Sequence, residues 1–188
     1  MKFRLLLLAC CASMTLSALA IEDILIDYQY AGNHRVDFSK LKGSLKIGNF
    51  TDGRSTDNAH LITESDLGNG NEGYVAEKAM TVLVREALVQ GFSHGGAELV
   101  EADEDMSITG EILSTAAQLI DRQGVEMIQL TLRTKLQLQS GGRQVWQTTL
   151  FGRGRVPVSD GLAAAVQAAL DRTVQELVRD DYFLMEVK

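Results

Sequence analysis

Cysteine is almost absent from this chain of 188 residues, and its two copies, Cys10 and Cys11, stand side by side near the start. Both lie in an N-terminal segment with the pattern of a cleaved signal peptide, so the processed chain keeps no thiol. Disulfide bonds, a thiol nucleophile and a cysteine-based metal site are therefore excluded for the processed protein. Proline is scarcer still, and the single copy, Pro157, is predicted to close a β-sheet.

Motifs that carry catalysis or hold metals are also missing. Neither H-E-x-x-H nor G-x-S-x-G occurs, and the three histidines, His34, His60 and His94, are scattered along the chain without ligand spacing. The segment Gly68–Gly73 matches G-x-G-x-x-G, but it follows a polar stretch rather than a strand, so a flexible glycine-rich loop is the better interpretation. We therefore expect a protein that is not an enzyme and that holds no cofactor and no metal.

The first 20 residues predict a signal peptide. Lys2 and Arg4 form a basic start, an apolar run follows from Leu5 to Leu16, and Ala18-Leu19-Ala20 supplies the small residues that signal peptidase prefers. A second interpretation takes Leu7-Leu8-Ala9-Cys10 as a lipobox with a lipid on Cys10, although the apolar run before it is shorter than the usual ~7–15 residues. The first interpretation predicts a periplasmic protein, and the second adds membrane association through the lipid.

Positive charge is in short supply. Removing Lys2 and Arg4 from the 18 basic residues leaves 16 against 25 acidic residues, a net charge of −9 for the processed chain. A chain this acidic is a poor candidate for binding nucleic acid or anionic lipid surfaces, because both repel it.

The stretch Met106–Arg155 predicts three long antiparallel strands, and its middle strand is the clearest pattern in the chain. Apolar residues, with Thr134 among them, stand at even positions from Ile128 to Leu138, and polar residues stand at odd positions. This alternation is typical of a sheet with one face on a core and one face in water. A three-residue turn at Ser140-Gly141-Gly142 is predicted to place Leu136 opposite Trp146.

Two helices are predicted on the dry face of this sheet. The first spans Tyr74–Gln90, with Gly91 just beyond its end, and the second begins after Ser159 and Asp160 and runs to about Arg179. The fold class is α+β: a two-layer sandwich of a mostly antiparallel sheet with two helices on one face, in the order β-α-β-β-β-β-α. Residues 1–20 form the signal peptide, residues 21–43 an N-terminal strand or arm with its connection, and residues 44–188 a single domain.

The best candidate for a binding site is the long segment Thr51–Gly73, which is rich in Asp, Asn, Gly, Ser and Thr. Loops of this length in compact domains are functional or mobile, and Asp52, Arg54 and Asp57 are the side chains proposed to meet a partner. A second candidate is a basic patch on the wet sheet face formed by Arg133, Lys135, Arg143, Arg153 and Arg155. No aromatic residue is expected among these cations, so ordinary solvation is the first interpretation of the patch.

The chain resembles the YajG family of uncharacterised Gram-negative envelope lipoproteins. The resemblance rests on the strand Leu45-Lys46-Ile47 leading into Asp52–Asp57, the helix closing at Leu88–Phe92, the Gly141-Gly142 turn and the last helix near Leu162–Val166. It covers most of residues 44–180, and it implies an envelope location and no known enzymatic activity. Family members carry a lipobox cysteine directly after the signal, whereas Cys10 and Cys11 lie early in the apolar run. The leading hypothesis is a non-enzymatic periplasmic or outer-membrane-associated protein that binds another envelope component. The alternative is a small-ligand- or lipid-binding periplasmic module using the space between helices and sheet.

Overall fold

The computed structural model describes residues 21–32 and 34–188, so the predicted signal peptide and Cys10 lie outside the described residues. The strands are β1 (Ile21–Ile24), β2 (Leu45–Asp52), β3 (Leu61–Thr63), β4 (Gly73–Ala76), β5 (Met106–Arg122), β6 (Val125–Ser140) and β7 (Arg143–Pro157). The helices are α1 (Met80–His94), α2 (Gly161–Leu177) and α3 (Asp181–Val187), with a short 3₁₀ turn at Val158–Asp160.

The larger of two sheets has the order β2-β5-β6-β7, and the smaller has the order β1-β4-β3. Strands β5, β6 and β7 form the predicted antiparallel meander. Strand β2 runs parallel to β5, because β3, β4 and α1 lie between them in the chain and return it to the same end of the sheet. The α+β class is confirmed, with one small sheet and one short helix beyond the predicted elements.

The predicted register of the last hairpin is wrong. The turn between β6 and β7 has two residues, Gly141 and Gly142, both at positive φ, as a tight hairpin turn requires. A bulge near Val145 then shifts the pairing, so that Leu138 lies opposite Trp146 and Leu136 opposite Thr148. A two-residue turn alone would place the apolar residues of β7 on the face opposite to those of β6. The extra residue of the bulge shifts β7 by one position, so the apolar residues of both strands lie on one face.

Helix α2 packs directly on β7, and two glycines allow this approach. A Cβ on Gly152 would lie 2.3 Å from the carbonyl oxygen of Ala169, and one on Gly154 would lie 2.1 Å from that of Ala165. The sequence predicts a bend or bulge at these glycines, but β7 continues through both with regular pairing. Their absent side chains make room for the helix backbone.

Helix α1 begins later and ends later than predicted. Residues Tyr74–Ala76 belong to β4, and the helix runs on to His94, with Gly95 at its C-cap. Gly91 lies inside the helix, where a Cβ would come within 2.4 Å of Val174 Cγ1 on α2. Gly91 therefore marks the crossing of the two helices rather than a helix end. The predicted N-cap of α2 also differs, because Asp160 takes that position and makes no side-chain capping bond.

The N-terminal arm packs across the outer surface of the helices. After β1 the chain stays extended through Tyr30, with Ile26 and Tyr28 buried. Glu77 accepts a hydrogen bond from the amide of Ile26, and Gln90 accepts from the amide of Tyr30 and donates to the carbonyl of Tyr28. At the other end of the chain, α3 covers the rim of the core with Phe183 and Val187, which are fully buried.

Thr134 is a polar residue at the centre of the core. Its side chain is fully buried on β6, and no described group lies within hydrogen-bonding distance of its hydroxyl oxygen. Thr134→Val, which replaces the hydroxyl with a methyl group of similar volume, is expected to raise the free energy of unfolding by about 1 kcal/mol. Thr173→Val is the control, because the buried Thr173 hydroxyl donates to the carbonyl of Ala169 at 3.0 Å and its loss should not stabilise the protein. Urea titrations of both variants check this, and a loss of stability in Thr134→Val would contradict it.

Candidate functional site

The segment Thr51–Gly73 is more ordered than its composition predicts. Strand β2 extends to Asp52, the apolar pair Leu61 and Ile62 enters β3, and Gly73 opens β4. The prediction of one long irregular loop is therefore wrong over these positions. The remaining turns are held by short-range bonds of the Asx type, such as the three amides bonded to the carboxylate of Asp66.

Arg54 organises this segment from a nearly buried position. Its side chain is 6% exposed, and it makes a two-pronged ion pair with Asp52 through Nε at 2.8 Å and Nη2 at 2.6 Å. Nη1 donates to the carbonyl of Leu61 and, at 2.8 Å, to the hydroxyl of Thr115 on β5. Nη2 also donates to the carbonyl of Ala59 at 3.2 Å. One guanidinium group thus joins β2, β3 and β5.

These contacts use all five N–H donors that a guanidinium group possesses. Arg54 therefore has no donor left with which to bind an anion or a partner carboxylate without breaking an internal bond. The structure brings two of the three predicted site residues together, Asp52 and Arg54, and gives them a common role in holding the loop. Asp57 is exposed in the following turn.

A groove lies beside Arg54, between the β2–β3 loop and β5. Its volume is about 320 Å³, and hydroxyl-bearing side chains form much of its lining, namely Ser55, Thr56, Thr63, Ser65, Ser114 and Thr115. Arg54 and Glu64 also line it, and Leu61, Leu113 and Ala116 contribute the apolar part of the wall. The groove forms where β2 ends, because β5 has a bulge between Ile112 and Ser114 and continues beyond its parallel partner. Asp57 does not line this groove.

The ion pair with Arg54 lowers the pKa of the Asp52 carboxyl group, chiefly through the hydrogen bonds that the guanidinium donates. Because the folded-state pKa lies below the unfolded value, the pair stabilises the protein fully above the ordinary Asp value of about 4. This contribution is lost as the pH falls from there through the lowered folded-state value. The stability difference between wild type and Asp52→Asn, measured by urea unfolding from pH 7 to pH 3, is expected to shrink below about pH 4. A difference that stays constant over this range would contradict the assignment.

The second candidate surface is the face of the large sheet opposite the helices. Cross-strand neighbours place Thr131 beside Arg153, Gln129 beside Arg155 and Arg133 beside Phe151 on this face. Lys135 stands between Glu111 on β5 and Thr149 on β7. We call the surface around Arg133, Lys135, Phe151, Arg153 and Arg155 the open face. None of its four cations forms an ion pair in the described part of the chain.

An aromatic ring lies among these cations, contrary to the prediction. Phe151 is 49% exposed, and the guanidinium carbon of Arg133 stands 5.4 Å from the centre of its ring. Arg155 is held in place by a bond of 2.6 Å from Nε to the amide oxygen of Gln129. The sequence carries the signal for this ring, since Phe151, Arg153 and Arg155 all stand at odd positions and therefore face the same side of the sheet. Because arginine and aromatic side chains are both enriched at protein interfaces, the pair of Arg133 and Phe151 makes this face a candidate contact surface.

Two of the histidines are not scattered in space. The rings of His34 and His94 lie 5.3 Å apart between centroids, and the ring of Tyr30 lies 5.5 Å from each, tilted against His34 and edge-on to His94. His34 bridges two backbone groups, with Nε2 2.9 Å from the carbonyl of Gly91 and Nδ1 accepting from the amide of Val36 at 3.3 Å. This pairing ties the N-terminal connection to α1. Among the described residues, no group of three or more His, Cys, Asp or Glu side chains is arranged to hold a metal ion.

The space between helices and sheet is filled. The side chains of α2 that face the sheet, among them Val166, Leu170 and Val174, have no exposed surface, and neither have Leu130, Leu132 and Leu136 on β6. The glycine contacts of β7 bring the α2 backbone against the sheet without a gap. A ligand cavity in this layer, which the alternative hypothesis requires, is not found among the described residues.

Comparisons with known proteins yield a shared fold. The sequence matches no family model, and no curated protein matches it. A solved structure of a Xanthomonas campestris protein assigned to the DUF330 family matches with a TM-score of 0.52 and 15% identity, over 83% of this chain and 92% of that one. A minor lipoprotein of Acinetobacter baumannii matches with a TM-score of 0.42 and 14% identity, over 58% of this chain and 90% of that one. A Neisseria meningitidis lipoprotein matches at 0.31 and 9%, over 73% and 99%.

The first of these likenesses establishes that the chain shares its fold with the DUF330 protein. At this level of identity a common fold carries no residue roles from one protein to the other. Within the described residues, no helix is long and apolar enough to cross a membrane.

Proposed function

We propose that this chain is a non-enzymatic binding protein of the Gram-negative cell envelope, and that its open face holds another envelope component. The observation that carries the proposal is a sheet face without helical cover, on which Arg133 lies over the exposed ring of Phe151. Lys135, Arg153 and Arg155 lie on the same face, and none of the four cations forms an ion pair among the described residues. In a chain with a formal net charge of −7, such a cluster is a local exception to the overall charge. Interfaces are enriched in arginine and aromatic side chains, which fits this surface.

The envelope location rests on the signal-peptide pattern of residues 1–20. The finer assignment within this proposal is to a YajG-like family, on the element order and motifs given above. The intact mass of the protein isolated from cells distinguishes the two forms of processing. Cleavage after Ala20 yields a chain that begins at Ile21, whereas lipidation yields a longer chain carrying a lipid on Cys10. An unprocessed mass that begins at Met1 would contradict an exported protein.

The segment Thr51–Gly73 is the second surface in the proposal. The ion pair of Asp52 and Arg54 holds the conformation of this segment. A partner would contact the hydroxyl-lined groove and the exposed side chain of Asp57. We rank this segment below the open face because the charged groups of Arg54 are committed to internal bonds. The groove has room for a small polar ligand, so native mass spectrometry of the purified protein tests the alternative function. A ligand bound in stoichiometric amount would favour it over a protein or polymer partner.

Recovery of a partner from crosslinked envelopes tests the leading proposal. We expect the wild-type protein to retain a specific partner and Arg133→Gln/Arg153→Gln/Arg155→Gln to lose most of it. The matched control, Arg35→Gln/Arg172→Gln/Arg179→Gln, removes the same charge from outside the sheet and should retain the partner. Equal recovery by both triple variants would contradict a role for the open face, as would the absence of any specific partner.

A further inference from the structure

Strand β7 is the last strand of the large sheet, and one of its edges pairs with no strand in the part of the chain that the structure describes. It pairs with β6 along its length, from Ser140 opposite Arg143 to Met127 opposite Pro157. No backbone hydrogen bond joins β7 to any other described element. In an antiparallel ladder the residues of a strand alternate between bonding inward and outward. The two-residue turn and the bulge near Val145 together set this alternation, so that Gln147, Thr149, Phe151, Arg153 and Arg155 direct their amide and carbonyl groups outward.

The outward-bonding residues are also those whose side chains lie on the open face. A strand added at this edge would therefore form backbone bonds with β7 and place its own side chains beside Phe151, Arg153 and Arg155. The strand has 15 residues, so the edge is about 50 Å long at ~3.3 Å per residue. Free edges of this length are uncommon unless they are protected or used, because unpaired backbone groups attract another strand.

The charge of β7 specifies what can bind there. The strand contains three arginines, Arg143, Arg153 and Arg155, and no acidic residue. A second copy of this chain, pairing through its own β7, would bring three more arginines and no carboxylate to this edge, so that the cations would stay uncompensated. An extended segment with acidic residues at alternate positions supplies the missing charge, since its carboxylates meet Arg153 and Arg155 and its backbone meets the free edge.

We propose that the outer edge of β7 binds an extended acidic segment of a partner protein by strand addition. This inference rests on the proposed function, since it names the binding mode and partner chemistry of the open face. Phe151, which is 49% exposed on the same face as Arg153 and Arg155, offers an apolar surface to the methylene groups of the acidic side chains. The competing explanation is that the arginines only protect the edge against association with other strands.

The probe is a synthetic peptide in which valine and glutamate alternate. Its length of about ten residues is the upper end of the usual range for a strand. We expect binding to the purified protein by fluorescence anisotropy, and at least tenfold weaker binding to Arg153→Gln/Arg155→Gln. The matched control Arg172→Gln/Arg179→Gln should bind as the wild type does. A peptide alternating valine and lysine should not bind.

A second variant separates strand addition from charge attraction alone. Thr149→Pro removes an amide that points away from β6, so the β6–β7 ladder and all arginines are retained while the free edge is blocked. Binding to Thr149→Pro at wild-type affinity would overturn the proposal. If this variant fails to fold by circular dichroism, hydrogen exchange of the wild type decides: the peptide should slow exchange at Gln147, Thr149 and Phe151. Unchanged exchange at these amides would overturn strand addition.

The competing explanation, that the arginines only protect the edge, predicts a different result. If the arginines only protect the edge, Arg153→Gln/Arg155→Gln should self-associate in analytical ultracentrifugation and the wild type should show no affinity for the acidic peptide. That result would overturn the inference but not the proposed function, provided that the wild type still recovers its partner from crosslinked envelopes. A partner bound equally by wild type and Thr149→Pro, but not by the triple arginine variant, would place the contact on the open face without strand addition.

Discussion

Replacing Arg54 with alanine is expected to lower the free energy of unfolding by about 3–5 kcal/mol, the range for removing one partner of a buried ion pair. The loss is large because five bonds disappear together. The carboxylate of Asp52 is left without its cation, and the carbonyls of Ala59 and Leu61 lose their donor. At roughly 2–4 °C per kcal/mol for a chain of this size, the melting temperature should fall by about 10 °C.

Arg172→Ala provides the comparison. Arg172 pairs with Glu176 on the surface of α2, and exposed helical pairs of this spacing contribute only about 0.3–0.5 kcal/mol. Thermal and urea unfolding of the two variants measure the difference. If Arg54→Ala were no more destabilised than Arg172→Ala, Arg54 would not hold the loop, and it would again be available to bind a partner.

Gly154→Ala carries the second large expected effect, a loss of about 1–3 kcal/mol or more from overpacking. The new Cβ would stand 2.1 Å from the carbonyl oxygen of Ala165 and 2.7 Å from the amide nitrogen of Ala169. Both are backbone atoms of α2, so the clash cannot be relieved by turning a side chain. The helix must move away from β7, and the contacts of Val166 and Leu170 with the sheet loosen with it.

An exposed position on the same strand serves as the control for this variant. Gln147 is exposed and accepts one surface hydrogen bond of 2.8 Å from Gln137, so Gln147→Ala should change stability by no more than about 0.5 kcal/mol. Urea unfolding monitored by the fluorescence of the single tryptophan, Trp146, reports on the packing of β7 in both variants. A Gly154→Ala protein as stable as the wild type would mean that α2 does not lie against this strand.

The strands that could be predicted from sequence are those in which local pattern and burial agree. The alternation from Ile128 to Leu138 was sufficient, because a period of two on a half-buried strand fixes both the element and its dry face. The register with β7 could not be obtained in the same way. It depends on a bulge near Val145, and nothing in the residues around that valine distinguishes a bulge from regular pairing.

The glycines show why helix ends and bends were misplaced. Gly91, Gly152 and Gly154 are needed where two elements approach each other, and a sequence window does not contain the second element. The local signal of glycine is the same for a helix end, a bend and a close contact. The same reason explains the error at Tyr74–Ala76. Their apolar residues continue the helical spacing of α1, but the strands β1 and β3 with which they pair lie elsewhere in the sequence.

The sequence predicted which residues belong to the candidate site, but not the contacts that these residues make. The sequence predicts Asp52, Arg54 and Asp57 as side chains that meet a partner, but it does not show that Asp52 and Arg54 bond to each other. The other partners of Arg54 come from the nearby segment Ala59–Leu61 and from Thr115 on the distant strand β5. Only the fold reveals that all donors of Arg54 are used. Conversely, the alternating positions of Phe151, Arg153 and Arg155 were visible in the sequence, and their meaning depended on knowing that no helix covers that face.

Site-specific photocrosslinking in cells that produce the protein tests the central claim, that the open face is where an envelope component binds. A photoreactive amino acid is placed at Thr131 or Thr149 on the open face, and at Gln167 or Arg172 on α2 as the comparison. We predict a discrete crosslinked product from the first two positions and none from the second two. Crosslinking from α2 alone, or from none of the four positions, would contradict the claim.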